Sequence, residues 1–477
     1  MSYAMYCLGL FLGAIAMLVM SILAHFSNVI HMKVKDLTPR KYESIYEIAY
    51  LLFGRNSIFV VCVNMFVLNL GALIMYYMLI GDIGSSLMIN LLVGAPVEGK
   101  QASIDNEEWL VKLVCSKVFS ILAVGAALLL IVFKKELNEM KVISFFFLGI
   151  VALFLVLLTS MVFDENVAET ADFDDLSRVK PDAHLISAVS IIVFAYATQF
   201  IVFPSYVELE RRSTERFSQV SFISVVILNV AYLATAVCGV LLFGAATTPD
   251  LLENIATKAG NISLVIRLTY IVVLLFHIPY VFFAVKEYTL VMYDEVQNRS
   301  LSTHLEEKLA DFYKIKESKK ERETAAVAKP QTPIERTENE YGFPLETEKL
   351  LERDDTMTAS DSDHESQASN ATINSVKSAL TYKQLSERVF FWTTIVLHAA
   401  ILLLSVTIKD LTVVFDFTGA ISATMMTFIF PAVGYLVALS RYGTSRIRKR
   451  RETFVYQVLC YIFIVLGLAI LVSYLYV

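Results

Sequence analysis

The sequence is 477 residues long, with 40 Lys and Arg against 46 Asp and Glu, so its formal net charge is −6. Hydrophobic residues make up 56% of it and charged residues only 18%, whereas a soluble domain contains roughly 45–50% and about 25%. This composition, with a mean hydropathy of +0.60, excludes a soluble globule, a coiled coil, collagen, a disulfide scaffold and a nucleic-acid-binding protein. It predicts a multi-pass membrane protein.

Ten long apolar runs are spread along the chain. The hydrocarbon core of a bilayer is about 30 Å thick, so a helix that crosses it needs about 20 apolar residues. The runs lie at residues 5–30, 57–82, 112–133, 142–163, 185–206, 218–244, 262–290, 389–408, 412–439 and 453–477. Helices satisfy their own backbone hydrogen bonds in lipid, so the sequence predicts an all-α polytopic protein with ten spans.

Lys and Arg residues concentrate in one set of alternate loops between these runs. That set contains Lys33, Lys35, Arg40, Lys41, Arg55, Lys134, Lys135, Lys141, Arg211, Arg212, Arg216, Arg441, Arg446, Arg448, Lys449, Arg450 and Arg451. The other set contains Lys100, Arg178, Lys180, Lys258 and Lys409. Because cytoplasmic loops carry the excess of positive charge, the first set is predicted to be cytoplasmic. Both chain ends then lie on the outer or lumenal side, which predicts a further helix before Met1.

A long polar insert interrupts the apolar pattern at residues 296–385. It is rich in Lys, Glu, Ser, Thr and Asp and has few aromatic residues, so it cannot bury enough apolar surface to fold by itself. We therefore predict a cytoplasmic, largely disordered insert. It separates transmembrane residues 1–295 from transmembrane residues 386–477.

The insert also contains a match to an acidic di-leucine sorting signal. Glu346 precedes the pair Leu350 and Leu351 by four residues. This pattern favours a vacuolar or endolysosomal membrane, and the plasma membrane is the alternative location.

Two apolar runs contain a proline beside polar residues. The segment 194–209 combines Thr198, Gln199 and Pro204, and the run at 262–290 contains His277 two residues before Pro279. Proline removes a backbone hydrogen bond to the preceding turn, and irregular backbone at membrane depth must line a cavity or be buried in protein. We predict helix breaks at both prolines. The alternative is a simple proline kink with a buried Gln and a His bonded to a neighbouring helix.

No enzyme motif is visible in the sequence. It lacks a His-Glu-x-x-His pair, a Gly-x-Ser-x-Gly elbow, a glycine-rich phosphate loop and a Cys-x-x-Cys pair, each of which carries a known chemistry. We therefore expect no catalytic residues, no metal and no cofactor. The residues alone predict a carrier with broken helices.

The segment FAYATQFIVFPSYVELERRS at 194–213 resembles the sixth helix of the amino acid/auxin permease family, which includes the neutral amino acid transporters. The family pattern is matched by Phe194, Ala195, Tyr196, Pro204, Tyr206, Glu208 and Leu209. Thr198 and Gln199 stand where the family usually has Cys and His. The segments 76–82, 266–288 and 418–436 are similar to the family's third, eighth and tenth helices.

The resemblance implies a leucine-transporter-type fold with two inverted repeats of five helices and one last helix. The ten runs would be family helices two to eleven, with most of helix one truncated, since Ser2-Tyr3-Ala4 resembles the Pro-Tyr-Ala just past the break in that helix. It also implies a substrate site at mid-membrane. Its predicted residues are Ala195, Tyr196, Thr198, Gln199 and Tyr3.

The function implied is secondary active transport of neutral or small polar amino acids by alternating access. Sodium-coupled relatives have a Thr two residues before the proline of helix eight, and this chain has His277 there. His277 is therefore the predicted coupling-ion region, and proton coupling or exchange is expected rather than sodium coupling. The expected partners are an amino acid, a proton and the lipid bilayer. The alternative is a non-transporting amino acid sensor or scaffold that signals to cytosolic partners through the 296–385 insert.

Overall fold

The computed structural model consists mainly of α-helices in the part of the chain that it describes. It describes residues 1–38, 42, 44–92, 108–133, 140–163, 176–180, 184–257, 261–310, 313–314, 385–444, 448 and 450–476. The sorting pattern at Glu346, Leu350 and Leu351 lies outside these residues, as does most of the predicted insert.

The helices follow one another in this order: α1 Ser2–Leu8, α2 Leu10–Leu37, α3 Ile45–Phe53, α4 Asn56–Leu92, α5 Trp109–Val114, α6 Lys117–Val132, α7 Met140–Phe163, α8 His184–Ala195, α9 Val202–Glu208, α10 Thr214–Phe243, α11 Leu251–Thr257, α12 Asn261–Gln297, α13 Glu387–Thr407, α14 Leu411–Phe417, α15 Phe430–Tyr442 and α16 Arg451–Leu475. Short 3₁₀ turns cover Gln199–Ile201 and Gly244–Ala246. Two π-helical segments, Thr418–Ala423 and Met425–Ile429, lie between α14 and α15.

Eight membrane-length apolar stretches occur within the described part of the chain. The predicted runs at 112–133 and 142–163 correspond to α6 and α7, where the described apolar helices Lys117–Val132 and Leu148–Phe163 are shorter. The structure is therefore that of a polytopic helical membrane protein. The total of ten spans and the inverted repeat stay predictions.

Two predicted helix boundaries differ from the structure. The run 5–30 is divided at Gly9, where φ is 77° and a Cβ would approach the carbonyl oxygen of Ser177 to 2.8 Å. A residue without a Cβ fits that backbone best. The predicted helix break at Pro279 is wrong, because α12 continues through it. One lost backbone hydrogen bond is tolerated in a membrane helix when the turns on both sides remain packed.

The chain divides into two compact units. The first contains Met1–Met292 and Ser386–Val477, and the second contains Tyr293–Leu385. Within the second unit the structure describes a helix over 300–310. The disorder and the partners predicted for the rest of the insert stay predictions.

The core of the first unit forms around α4. Leu73, Tyr77 and Ile80 of this helix pack in one buried cluster with residues of α12 and α13, among them Phe282 and Ile401. Large apolar side chains on the outside of the unit remain exposed, as expected for surfaces that face lipid. The arrangement buries several polar side chains of α4.

The π-helical segments bring two helices into unusually close contact. A Cβ added at Gly419 would overlap the carbonyl oxygen of Ser190 on α8. Thr424 Oγ1 donates to the carbonyl of Gly419 at 3.0 Å, which satisfies a backbone acceptor in this loosely wound region. Small residues allow such approach between membrane helices, so this contact holds α8 in place just before its end at Ala195.

We predict that Gly419→Ala destabilises the protein by about 1–3 kcal/mol, the usual cost of overpacking, because its methyl group would press on the backbone of Ser190. The measurement is the thermal unfolding of the purified full chain in detergent. Gly149→Ala on α7 is the matched control, since among the described residues nothing outside its own helix lies within 4 Å of the added Cβ. Equal melting temperatures for the two variants would contradict the prediction.

Candidate functional site

The span that contains α8 and α9 is interrupted near its middle. α8 ends at Ala195, and regular α-helix resumes only at Val202. The amide of Ala197 bonds the carbonyl of Phe194 at 3.2 Å, and that of Thr198 bonds the carbonyl of Tyr196 at 2.8 Å. These contacts form tight turns in place of the i→i−4 ladder.

Pro204 lies just beyond this interruption, in the first turn of α9. A proline is accepted there because the first amides of a helix have no intrahelical acceptor. The predicted break near Pro204 is therefore present, and it is located at residues 196–198.

Side chains from neighbouring helices hold the interrupted segment. Tyr232 of α10 donates its hydroxyl to the carbonyl of Ala195 at 3.2 Å. Asn28 of α2 donates to Thr198 Oγ1 at 3.1 Å and to Ser221 Oγ at 3.1 Å. A buried carbonyl or hydroxyl without a partner is costly, so these bonds are what makes the irregular backbone stable in this apolar setting.

Tyr196 and Gln199 point into the protein rather than into open space. Both are fully buried. The Tyr196 hydroxyl donates to Asn229 Oδ1 at 2.6 Å, and Gln199 Oε1 accepts from Thr427 Oγ1 at 3.0 Å. The two side chains therefore anchor the interrupted segment to α10 and to the second π-helical segment.

A polar cavity of about 550 Å³ opens beside the interruption. Its wall includes Ala195, Ala197, Thr198, Phe200 and Ile201 from the interrupted segment. The volume lies within the range of small-molecule sites in proteins.

The facing wall of the cavity comes from α4, α10 and α12. It includes Asn69, Tyr76, Tyr232, His277 and Tyr280. The ring of His277 lies 5.3 Å from that of Tyr76 and 6.0 Å from that of Tyr280, measured between centroids. Polar and aromatic groups from three helices thus converge on the interrupted segment.

Three of the predicted site residues share this cavity, namely Ala195, Thr198 and His277. Tyr196 and Gln199 flank it, and Pro279 follows His277 on the continuous helix α12. Tyr3 is on α1, which packs against α8 and α10, and it is not among the described lining residues. The roles assigned to all these residues stay predictions.

Sequence reasoning missed several lining residues. Glu208 of α9 lies at the end of a span but contributes to the cavity wall. Tyr76, which precedes Asp82 in the segment YYMLIGD, also contributes to the wall. Asn69 and Tyr232 also belong to the wall. Polar or aromatic residues within a long apolar run were the available signal. The sequence of one run, however, does not indicate which neighbouring helix such a residue faces.

A second cavity of about 360 Å³ lies between α2, α3, α4 and the region around Pro431. Its lining is almost entirely apolar, with His31 at one side. His31 Nδ1 donates to the carbonyl of Ser27 at 2.9 Å. A zwitterion needs several polar partners, so the larger polar cavity is the better candidate for a functional site.

Comparison with known proteins identifies the family. The model of the transmembrane amino acid transporter protein family matches residues 1–477, and the chain belongs to this family. The description of this family and the names of the similar proteins below are those of transporters.

Three similar proteins illustrate the relationship. The chain is 25% identical over 292 residues to amino acid transporter AVT6E of Arabidopsis thaliana, covering 59% of this chain and 57% of the relative. It is 25% identical over 245 residues to amino acid transporter AVT6C of the same plant, covering 49% and 54%. It is also 29% identical over 108 residues to sodium-coupled neutral amino acid symporter 2 of Danio rerio, covering 22% and 21%. The chain thus spans about half the length of the plant relatives that it matches.

We predict that Thr427→Val lowers the free energy of unfolding by about 1–3 kcal/mol, the cost of leaving a buried polar group unsatisfied. Gln199 Oε1 would lose its donor, and among the described residues Gln199 Nε2 already has no partner. Thermal unfolding in detergent measures the effect. Thr407→Val is the control, because its exposed hydroxyl bonds only the carbonyls of its own helix; an equally large loss there would count against the assignment.

Proposed function

We propose that this protein transports neutral or small polar amino acids across a membrane by alternating access. The observation that carries the proposal is the helix interruption at residues 196–198, which adjoins a polar cavity lined by three other helices. Discontinuous membrane helices commonly supply the substrate sites of secondary transporters. Membership of the transmembrane amino acid transporter protein family supports an amino acid as the substrate.

The cavity wall offers complementary groups for a zwitterion. The amides that open the 3₁₀ turn at Gln199 follow residues 196–198, which are not helical, and amides at the start of a helical turn can donate to a carboxylate. Glu208 and the faces of Tyr76 and Tyr232 attract an ammonium group. Gln199 and Tyr196 hold the segment in the required conformation.

Access to this cavity alternates when the helices around it move as groups. The interrupted segment allows α8 and α9 to move by different amounts, because no continuous hydrogen-bond ladder joins them. Thr198 is bonded to Asn28 of α2 and Gln199 to Thr427, so a movement of these helices changes the shape of the site. This is the binding-site arrangement that rocking or gating transporters use.

His277 is the proposed coupling-ion residue. It lines the same cavity as Thr198, where its imidazole can exchange a proton with the cavity. Proton coupling or exchange, rather than sodium coupling, follows from this assignment.

The first experiment measures uptake of labelled neutral amino acids into proteoliposomes that contain the full chain. We predict accumulation under an inward proton gradient that is set by an alkaline interior, or during exchange with internal amino acid. Ala72→Phe, which puts a ring into the cavity wall, should reduce uptake at least tenfold. Ala127→Phe on the exposed surface of α6 is the matched control and should transport normally. If neither the parent protein nor the control takes up amino acid, this result would contradict transport and favour the sensor or scaffold alternative.

A second experiment separates coupling from substrate movement. We predict that His277→Gln abolishes accumulation driven by a proton gradient but preserves exchange of external for internal amino acid, because exchange needs no net proton movement. Phe276→Leu is the control, since Phe276 is an exposed neighbour on the same helix. Gradient-driven accumulation that survives in His277→Gln would remove His277 from the coupling role.

A further inference from the structure

Asp250 is a buried carboxylate in the loop between α10 and α12. It directly precedes α11, and only 6% of its surface is exposed. Its Oδ1 accepts the amide of Leu252 at 2.8 Å, which caps the start of α11. Among the described residues, Oδ2 has no hydrogen-bond partner. Hydrogen bonds to the amides of Leu252 and Glu253 therefore offset only part of the cost of burying this carboxylate.

The charged groups around Asp250 make its ionised form less favourable. Asp82 of α4 adds a repulsive negative charge, and so does Glu253 of α11. Lys117 of α6 is ion-paired with Asp82. The pKa of Asp250 is raised to about 7. Burial is the largest cause, and the negative charge of Asp82 is the second.

Two polar groups lie on α12, which is bonded to α11 where Ser263 Oγ donates to the carbonyl of Ile255 at 2.7 Å. Arg267 is buried and donates to Ser86 Oγ at 3.0 Å and to the carbonyl of Ser263 at 3.3 Å. Tyr270 lies close enough to Asp250 to be affected by its charge. It is also an electrostatic neighbour of Tyr76 and Tyr232, which line the polar cavity.

Packing also connects the loop with the cavity. Leu252 and Ile255 of α11 belong to the same buried cluster as Tyr77 of α4 and Ile278 of α12. Tyr76 precedes Tyr77 on α4 and His277 precedes Ile278 on α12. Both Tyr76 and His277 line the cavity. Through this cluster α11 therefore packs on the two helices that carry Tyr76 and His277 of the cavity wall.

We propose that Asp250 is a proton-binding site on the outer side of the protein, and that a bound proton keeps α11 docked on α4 and the cavity closed toward that side. The proton converts the carboxylate to a neutral carboxyl, which removes the repulsion by Asp82 and the cost of burying a charge. Loss of the proton leaves a buried anion, whose free energy is lowered when it moves toward water. α11 moves with it. The gating part rests on the proposed transport function and on the outer location that the loop charges predict.

Thermal unfolding tests the proton site without any transport. Because the pKa of Asp250 is raised in the folded protein, its contribution to stability is complete below the pKa of the unfolded chain, about 4. This contribution is lost as the pH rises to about 7. Asp250→Asn stays neutral, so it does not lose this contribution over that pH range. The difference between its melting temperature and that of the parent protein should therefore increase by several degrees between pH 4.5 and 7 and then level off. Glu108→Gln, at an exposed carboxylate that makes no side-chain cap hydrogen bond at the start of α5, should show a constant difference. A constant difference for Asp250→Asn would overturn the proton site.

Exchange in proteoliposomes of uniform orientation tests the gate. With the internal pH held at 7, the parent protein should exchange external amino acid at least threefold faster at external pH 8 than at external pH 5.5. Asp250→Asn should be slow at both values, and Glu108→Gln should behave like the parent protein. A parent-like pH response in Asp250→Asn would overturn the gating role. Absence of exchange in the parent protein would overturn the proposed function and the gate together, while the melting profile would still decide the proton site.

Discussion

The structure depends on one constraint, which is that every backbone amide and carbonyl at membrane depth needs a partner. Lipid offers none, so an interrupted helix can persist only where other side chains replace the lost bonds. Tyr232 does this for the carbonyl of Ala195, while Asn28 and Thr427 hold Thr198 and Gln199. The donors come from three separate elements, and the interruption is therefore a property of the packed bundle.

The same requirement explains why the polar residues of this chain are grouped. Asn28, Ser221 and Thr198 form one connected set, and Ser27 donates to the carbonyl of Thr427 at 2.7 Å. Loosely wound π-helix adjoins this set, and such segments are frequent at functional sites. Where the backbone is irregular, polar groups are available both to one another and to a ligand in the neighbouring cavity. Structure and binding capacity thus arise from the same interactions.

The predictions from sequence succeeded where a local rule decides the outcome. The run of apolar residues at 57–82 is long enough to cross a bilayer, and it corresponds to α4. Pro204 together with small and polar neighbours correctly indicated an interruption in its run. Pro279 gave the same signal, but α12 remains continuous. A proline weakens a helix by one hydrogen bond, and whether the helix then opens depends on the packing around it.

The sequence by itself determined that this is a helical membrane protein and which family it belongs to, and it indicated an interruption near Pro204 by the same signal that failed at Pro279. These features depend on apolar length, on the missing amide of proline and on short motifs, all of which are local. Only the tertiary structure decided that His277 and Thr198 share a cavity, that Gln199 points away toward Thr427, and that Asp250 is buried beside Asp82. Residues far apart in the chain become neighbours only through the packing of whole helices, and no single helix records the positions of the others.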